Sequence, residues 1–281
     1  MKCHIEKNSV QETLIIPLYG RKKCTQKFPQ LYRDETAIRL IEQIDYDFSE
    51  MEKKSDSSMQ EFGFLELAMR QNDLAYEVKE YLKSHPNAAV VNMGCGLDNT
   101  GRNCDNGFCH IYNIDFPDVI EVRNHLLPAG EREKNIAADL KDTSWFDEVD
   151  ASEGVIFFAA GVFYYFLTEE VKALFLAMAE RFPEGRIVFD TAGKTAVKLM
   201  VKTWIKQAEI KDVNAYFSVG DIQKEIAPWS EKFRLSCRGY MLGYQSLNVP
   251  SVKKLYRVLA KVGDNLMKMK IVRVDFCTCQ K

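Results

Sequence analysis

The chain has 281 residues and a mass of 32.3 kDa, with 46% hydrophobic and 28% charged residues, the balance of a globular protein rather than a disordered or fibrous one. Its 38 Lys and Arg against 40 Asp and Glu leave a net charge of -2 and a pI near 6.2, so no overall basic field exists to hold a phosphate backbone and nucleic acid is not an expected partner. Apolar runs fall short of the roughly 20 residues of a membrane span, and the start of the chain is polar without the apolar core of a secretory signal, so the expected compartment is the cytoplasm.

Residues 11–51 mix apolar and charged positions without a strand pattern, and Ala37, Ile38, Ile41 and Ile44 fall on one helical face, which predicts a helical N-terminal extension over residues 1–60. The polar run at 53–58 reads as a loop. A long helix follows, because Leu67, Leu74, Val78, Tyr81 and Leu82 recur at helical spacing until His85-Pro86 stops it. Beyond Pro86 the period changes: short apolar runs at 88–92, 110–115, 155–159 and 186–190 suit buried parallel strands. Between the last two lies an amphipathic helix with Thr168 as N-cap, Glu169 and Glu170 in the first turn, and Val171, Leu174, Phe175 and Met178 as its buried stripe. Residues 194–227 hold two helix-like stretches, Trp204 among them, and read as an insertion covering the strand ends, bounded at 194–234. Residues 235–244 read as a strand, Pro250 as the first position of a helix carrying Leu255, Leu259, Val262 and Leu266, and 271–276 as a final strand. Strands alternating with helices predict a doubly wound α/β sheet in one domain over 1–281.

Eight cysteines in a chain large enough to build its own core predict reduced thiols. Cys104-x4-Cys109 and Cys277-x-Cys279 do not match zinc spacings and the four histidines do not cluster, so no metal is expected.

The chemistry is expected at Val90-Val91-Asn92-Met93-Gly94-Cys95-Gly96-Leu97-Asp98, where a strand runs into two glycines that let backbone N–H groups approach a ligand at the carboxyl end of the sheet. A dinucleotide fingerprint wants a third glycine at position 99, where Asn99 stands, which disfavours a nicotinamide cofactor. Asp115, at the end of the next strand and about 20 residues on, is placed to accept hydrogen bonds from a ribose diol; its alternative role is to cap the helix after it.

These motifs resemble the leucine carboxyl methyltransferase-like and polyketide-synthesis O-methyltransferase-like class I S-adenosylmethionine (SAM) methyltransferases. Besides the glycine turn, the resemblance is carried by Leu14-Ile15-Ile16-Pro17-Leu18-Tyr19-Gly20-Arg21, Ile44-Asp45-Tyr46-Asp47-Phe48, Asp115-Phe116-Pro117-Asp118-Val119-Ile120, Leu126-Leu127-Pro128 and Ala138-Asp139-Leu140. It continues through Phe157-Phe158-Ala159-Ala160-Gly161-Val162 and Phe189-Asp190 and spans nearly the whole chain. It implies a Rossmann-like, mostly parallel seven-stranded sheet, with Gly94 and Gly96 beneath the methionine part of SAM, Asp115 on the ribose, and Asp139 with Leu140 at the adenine edge. Arg70 matches the arginine that pairs with the methionine carboxylate, a role suited to a planar guanidinium. Arg21 is a second candidate for that carboxylate or for a substrate anion. Two departures stand out: Leu97-Asp98-Asn99-Thr100-Gly101-Arg102 replaces the usual Leu-Asp-Thr-Arg, and Ala160 replaces a Glu before Gly-Val.

Tyr164 and Tyr165 stand beside the expected transfer point, with Phe163 and Phe166 read equally well as core, and Tyr19 joins them as a substrate-side candidate. The expected reaction is O-methylation of a small-molecule or peptide acceptor, with S-adenosylhomocysteine (SAH) as product. A carboxylate acceptor is preferred over a hydroxyl, because it is ionised near neutral pH and the histidines, His125 included, are poorly placed as bases. A nicotinamide-dependent oxidoreductase on the same sheet and a non-catalytic SAM-binding protein, the latter suggested by Ala160, are the alternatives.

Overall fold

A computed structural model describes residues 3–5, 14–200 and 216–278. The N-terminal part is helical, with α1 over Ile15–Lys27 and α2 over Glu35–Gln43. Asp34 caps α2 by accepting the Ala37 N–H at 2.8 Å, and the helix buries Ala37, Leu40 and Ile41. Ile38 is only half-buried, while Ile44, just past the helix, is buried where the chain pairs with Cys3. The polar run read as a loop is partly helical, since Ser49–Lys54 forms a short helix and only 55–57 turns. Ser57 then caps α3, Ser58–Ser84, by accepting the Gln60 N–H, and α3 ends at His85 as the following proline requires.

The sheet comprises β1 (Ala89–Met93), β2 (His110–Asp115), β3 (Glu133–Ala137), β4 (Val155–Ala159), β5 (Arg186–Thr191), β6 (Phe233–Gly239) and β7 (Lys270–Phe276). Their spatial order is 3-2-1-4-5-7-6, with β7 antiparallel between β5 and β6 and all other strands parallel to one another. The central strands are buried on both faces, which is why they read as continuous apolar runs without alternation. On one face α5 (Thr168–Arg181) sets Phe175 5.3 Å from both Phe163 and Phe189, so Phe163 and Phe166 belong to the core. On the other, Leu74, Val78, Tyr81 and Leu82 of α3 cover Val90, Ile111, Ile156, Phe158 and Val188.

Three local expectations are corrected. Leu167, not Thr168, is the N-cap of α5: its backbone N–H donates to Glu170 Oε2 at 2.8 Å, so the acidic side chain satisfies the helix entrance and Thr168 is already helical. Pro250 does not open the last helix. It lies in a turn, and α6 runs over Lys254–Asn265, because the Arg257 guanidinium donates to the carbonyls of Leu247, Val249 and Val252 and holds that segment in a non-helical bend. The buried stripe of α6 is Tyr256, Ala260 and Gly263, whereas Leu255 and Leu266 are 52% and 72% exposed. Small residues allow close approach to the neighbouring chain, as at Gly263, where an added Cβ would stand 3.0 Å from Met269 Sδ.

The insertion begins with a short helix over Lys194–Met200. Residues 201–215, Trp204 included, lie outside the described residues. From Phe217 the segment is core: Phe217, Val219, Ile222 and Ile226 are buried against the sheet instead of lying over its strand ends.

Candidate active site

The strand register sets the site. Ile136, Ile114, Met93, Ala159 and Phe189 form one continuous row across β3, β2, β1, β4 and β5, so Asp115, Gly94, Ala160 and Asp190 each stand one residue beyond it, at the carboxyl edge. Gly94 and Gly96 adopt φ of +64° and +46°, the left-handed region open to glycine. A Cβ on Gly94 would also stand 2.5 Å from Val162 Cγ2. Asp115 spans turn and helix, its Oδ2 accepting the Gly96 N–H and its Oδ1 the Phe116 N–H, both at 2.8 Å. A carboxylate has about four acceptor sites, so two remain. Burial raises the Asp115 pKa from its ordinary value against these two N–H bonds.

Two arginines, each 2% exposed, brace the turn from different helices. Arg123, on α4 (Pro117–Leu126), donates from Nη1 to the carbonyls of Gly96 at 2.8 Å and Asp98 at 2.7 Å. Arg21 on α1 donates from Nη2 to the Leu97 carbonyl at 2.8 Å and pairs through Nη1 with Asp98 at 3.2 Å and Asp34 at 3.3 Å. Arg21 is thus engaged by its own chain and does not line the cavity described below. Asp98 Oδ1 also accepts the Thr100 N–H and hydroxyl, and Asn92 donates to Oδ2, which gives the unusual Leu97-Asp98-Asn99-Thr100 sequence a closed local network. Asp139, past β3, is exposed with Oδ1 on the Lys141 N–H, while Leu140 is buried beside Trp145, whose Nε1 donates to its carbonyl.

A cavity of about 450 Å³ opens beside this edge, walled by α1, α3, α6, the 194–200 helix, the turn after β4 and the ends of β5 and β6. Its walls are mostly apolar, and the polar side chains on them include Glu66, Arg70, Tyr164, Tyr165, Asp190 and Tyr240. Asp190 organises the inner end: Oδ2 pairs with Arg70 Nη1 at 3.2 Å and Oδ1 accepts the Gly161 N–H at 2.6 Å. Arg70 lies so close to Gly161, at φ +73°, that a Cβ there would stand 2.5 Å from Nη1. Arg70 Nε is buried without a hydrogen-bond partner. Burial works against the Arg70 charge, but Asp190, Tyr240 and Tyr164 outweigh it and raise the pKa. Burial, with Asp190 and Tyr240 adding to it, drives the Tyr164 phenol well above its ordinary value.

The structure therefore bonds Gly96 directly to Asp115, keeps Gly94 in the same turn against Val162, and has Arg70, Tyr164 and Tyr165 lining the cavity. Tyr19 is elsewhere: its hydroxyl donates to Glu52 and its ring stacks on Phe48 with centroids 5.8 Å apart. Sequence reasoning passed over Glu66, Arg123 and Tyr240, and quoted Asp190 only as part of a motif. Glu66 was within reach of the pattern, since it precedes Arg70 by four residues on the same helix face.

Strand order, glycine turn and acidic strand end together define the Rossmann-like class I methyltransferase fold. The chain belongs to the leucine carboxyl methyltransferase family, whose sequence model matches residues 19–179. It is 28% identical over 187 residues to the tetracenomycin polyketide synthesis O-methyltransferase TcmP of Streptomyces glaucescens, a match covering 66% of this chain and 67% of that one. Among solved structures it is similar to a candidate methyltransferase from Thermobifida fusca YX, with TM-score 0.57 and 12% identity over 76% of this chain and 83% of the other. It is also similar to the plantazolicin methyltransferase BpumL in complex with SAH, with TM-score 0.50 and 12% identity over 95% and 99% of the two chains. At those identities the structures establish a shared fold. Among the described residues, no helix is long and apolar enough to cross a membrane.

Proposed function

We propose that this family member transfers a methyl group from SAM to an oxygen of a small-molecule or peptide acceptor held in the 450 Å³ cavity. The single observation that carries the reading is the positive-φ Gly94 and Gly96 turn with the Asp115 carboxylate bonded across it, at the carboxyl edge of the sheet beside that cavity. The residues fit SAM: Asp115 keeps acceptor capacity for two ribose hydroxyls, and Arg70 presents a buried, unpartnered Nε–H for a carboxylate. Asp139 and Leu140 are assigned to the adenine edge by the family resemblance that Ala138-Asp139-Leu140 carries. When bound, SAM supplies a methyl group already activated by its sulfonium.

The chain's own contribution is then placement. Arg70, held by Asp190 against Gly161, orients the donor end toward the cavity, and Tyr164 and Tyr165 bound the space where an acceptor oxygen would lie. The apolar walls, the 194–200 helix among them, limit water around the reacting groups. Transfer to oxygen is supported by the likeness to TcmP, an O-methyltransferase by name. Titration calorimetry of the purified protein with SAM, SAH and NAD tests the cofactor assignment: SAM and SAH are expected to bind and NAD to give no heat. NAD binding without SAM binding overturns it.

A further inference from the structure

α6 turns its small residues inward and its branched ones outward. Ala260 and Gly263, with Tyr256, fill the buried face, whereas Leu255, Val258, Val262 and the C-cap residue Leu266 are 52%, 57%, 36% and 72% exposed. Steps of three, four and four residues keep these side chains on one narrow strip of the helix surface. The strip is continuous with the cavity, because Val262 belongs to both and its neighbour Leu259 also lines the cavity wall. Lysines border it. Lys254 and Lys261 on α6, Lys268 just beyond it, and Lys194 and Lys198 on the 194–200 helix are exposed, and none has an ion-pair partner among the described residues. The Gly193 N–H donates to the Met267 carbonyl at 2.8 Å, which ties the two segments together. Across residues 193–200 and 253–270 the only acidic residue is Asp264, and it is buried with its oxygens on the Met241 and Leu242 N–H groups. A chain of net charge -2 thus gathers cations around an apolar strip.

We infer that this face, α6 with the adjoining 194–200 helix, docks on an anionic lipid surface, the strip entering the acyl layer and the lysines meeting the headgroups. Charge complementarity and shape both favour a bilayer over a protein partner. The strip is a single row of four side chains on one helix, whereas a stable protein interface takes about 800 Å² from each partner and a matching surface. A bilayer requires no matching shape. All five cations are lysines, flexible stems with point charges that suit a diffuse layer of headgroups, while Arg257, the arginine of α6, spends its planar fork on the Leu247, Val249 and Val252 carbonyls. Their long stems let the ammonium groups stay at headgroup level while the leucines and valines beside them go deeper. Among the described residues no helix is long and apolar enough to cross a membrane, so the contact is one in which α6 lies in the interface plane. Because the strip joins the cavity through Val262, the same contact brings the cavity to the lipid, where apolar acceptors concentrate.

Co-sedimentation of the full chain with vesicles of phosphatidylcholine alone, or with about 30% phosphatidylserine added, tests the contact. Binding is expected with the anionic vesicles only, and should fall at least about tenfold between about 0.05 and about 0.5 M salt. Leu255→Gln with Leu266→Gln, and separately Lys254→Gln with Lys261→Gln, should each weaken it by roughly tenfold. Lys83→Gln with Lys134→Gln removes the same charge from the end of α3 and from the edge strand β3, and should leave binding within about twofold. All six positions are exposed, so every variant should melt at the temperature of the parent. No binding to anionic vesicles, an equal loss in the Lys83 and Lys134 pair, or a loss with the lysines of α6 but not with its leucines overturns the inference. Two further results overturn it by naming another occupant. A leucine variant that melts several degrees lower, in a chain that binds no vesicles, assigns the strip to cover by its own chain; a dimer in analytical ultracentrifugation that the leucine variant abolishes, in place of vesicle binding, assigns it to a second copy. None of these measurements involves SAM or SAH, so their failure leaves the cofactor reading standing.

Discussion

The glycine turn and the cavity lie side by side at one edge of the sheet, yet they treat polar groups in opposite ways. Around the turn, Arg123 and Arg21 saturate the carbonyls of Gly96, Leu97 and Asp98, and Asp98 is bonded in turn to Asn92 and Thr100. Around the cavity, Glu66 makes no hydrogen bond or ion pair among the described residues, while a buried Nε without a partner occurs in both regions, on Arg70 and on Arg21. A backbone cradle has to hold its shape before any ligand arrives, and buried charged hydrogen bonds do this. A recognition pocket instead needs donors and acceptors that a ligand can complete, and apolar walls make each such contact count for more.

The largest effect is expected from breaking the braced region. Arg21→Ala leaves Asp34 and Asp98 buried without their cation, a loss of about 3–5 kcal/mol of stability that chemical denaturation will read. A loss under about 1 kcal/mol would put the pair in the class of exposed ion pairs and end the contrast between the two regions. Next is Gly94→Ala, expected to cost about 2–3 kcal/mol from the left-handed φ and the collision with Val162 together. Adding Val162→Ala should restore the steric part only, and full recovery in the double variant would show that φ carries no strain.

The smaller effects concern ligands. Asp115→Ala should weaken SAM and SAH alike by roughly tenfold or more, about 1.5–3 kcal/mol, in calorimetry. Affinity unchanged by that substitution would confine Asp115 to holding the Gly96 and Phe116 N–H groups. Arg70→Ala sharpens the comparison most finely: SAM should lose roughly tenfold, and adenosine, which has no carboxylate, should be nearly unaffected. Equal losses for both would place Arg70 with the structural arginines of the turn.

Much of the frame was legible in the residues. The apolar runs marked β1, β2, β4 and β5 to within a residue or so, and His85-Pro86 marked the end of α3, because burial on both faces and the loss of helical φ before proline leave direct traces in composition. Of the apolar positions expected to form the stripe of α6, Leu259 packs against the core while Leu255 and Leu266 are exposed, because the apolar residues fit more than one helical face and Tyr256, Ala260 and Gly263 fill the buried one. Arg21 was read as a ligand-facing cation because an isolated arginine carries no mark of its partners; Asp34 and Asp98 lie 13 and 77 positions away.

What the sequence by itself determined is the class of fold, the position of the turn and the family, since each depends on residues close together in the chain: two glycines after a strand, an acidic residue ending the next, periodic apolar positions between. Only the tertiary structure decided which charged groups are satisfied and which stay open. Arg70 meets Asp190 across 120 positions, and Arg123 meets the Gly96 carbonyl across 27. Glu66 meets no donor among the described residues, although Arg70 stands one turn away. Whether a charge braces the fold or serves a ligand depends on partners that chain separation conceals and packing alone supplies.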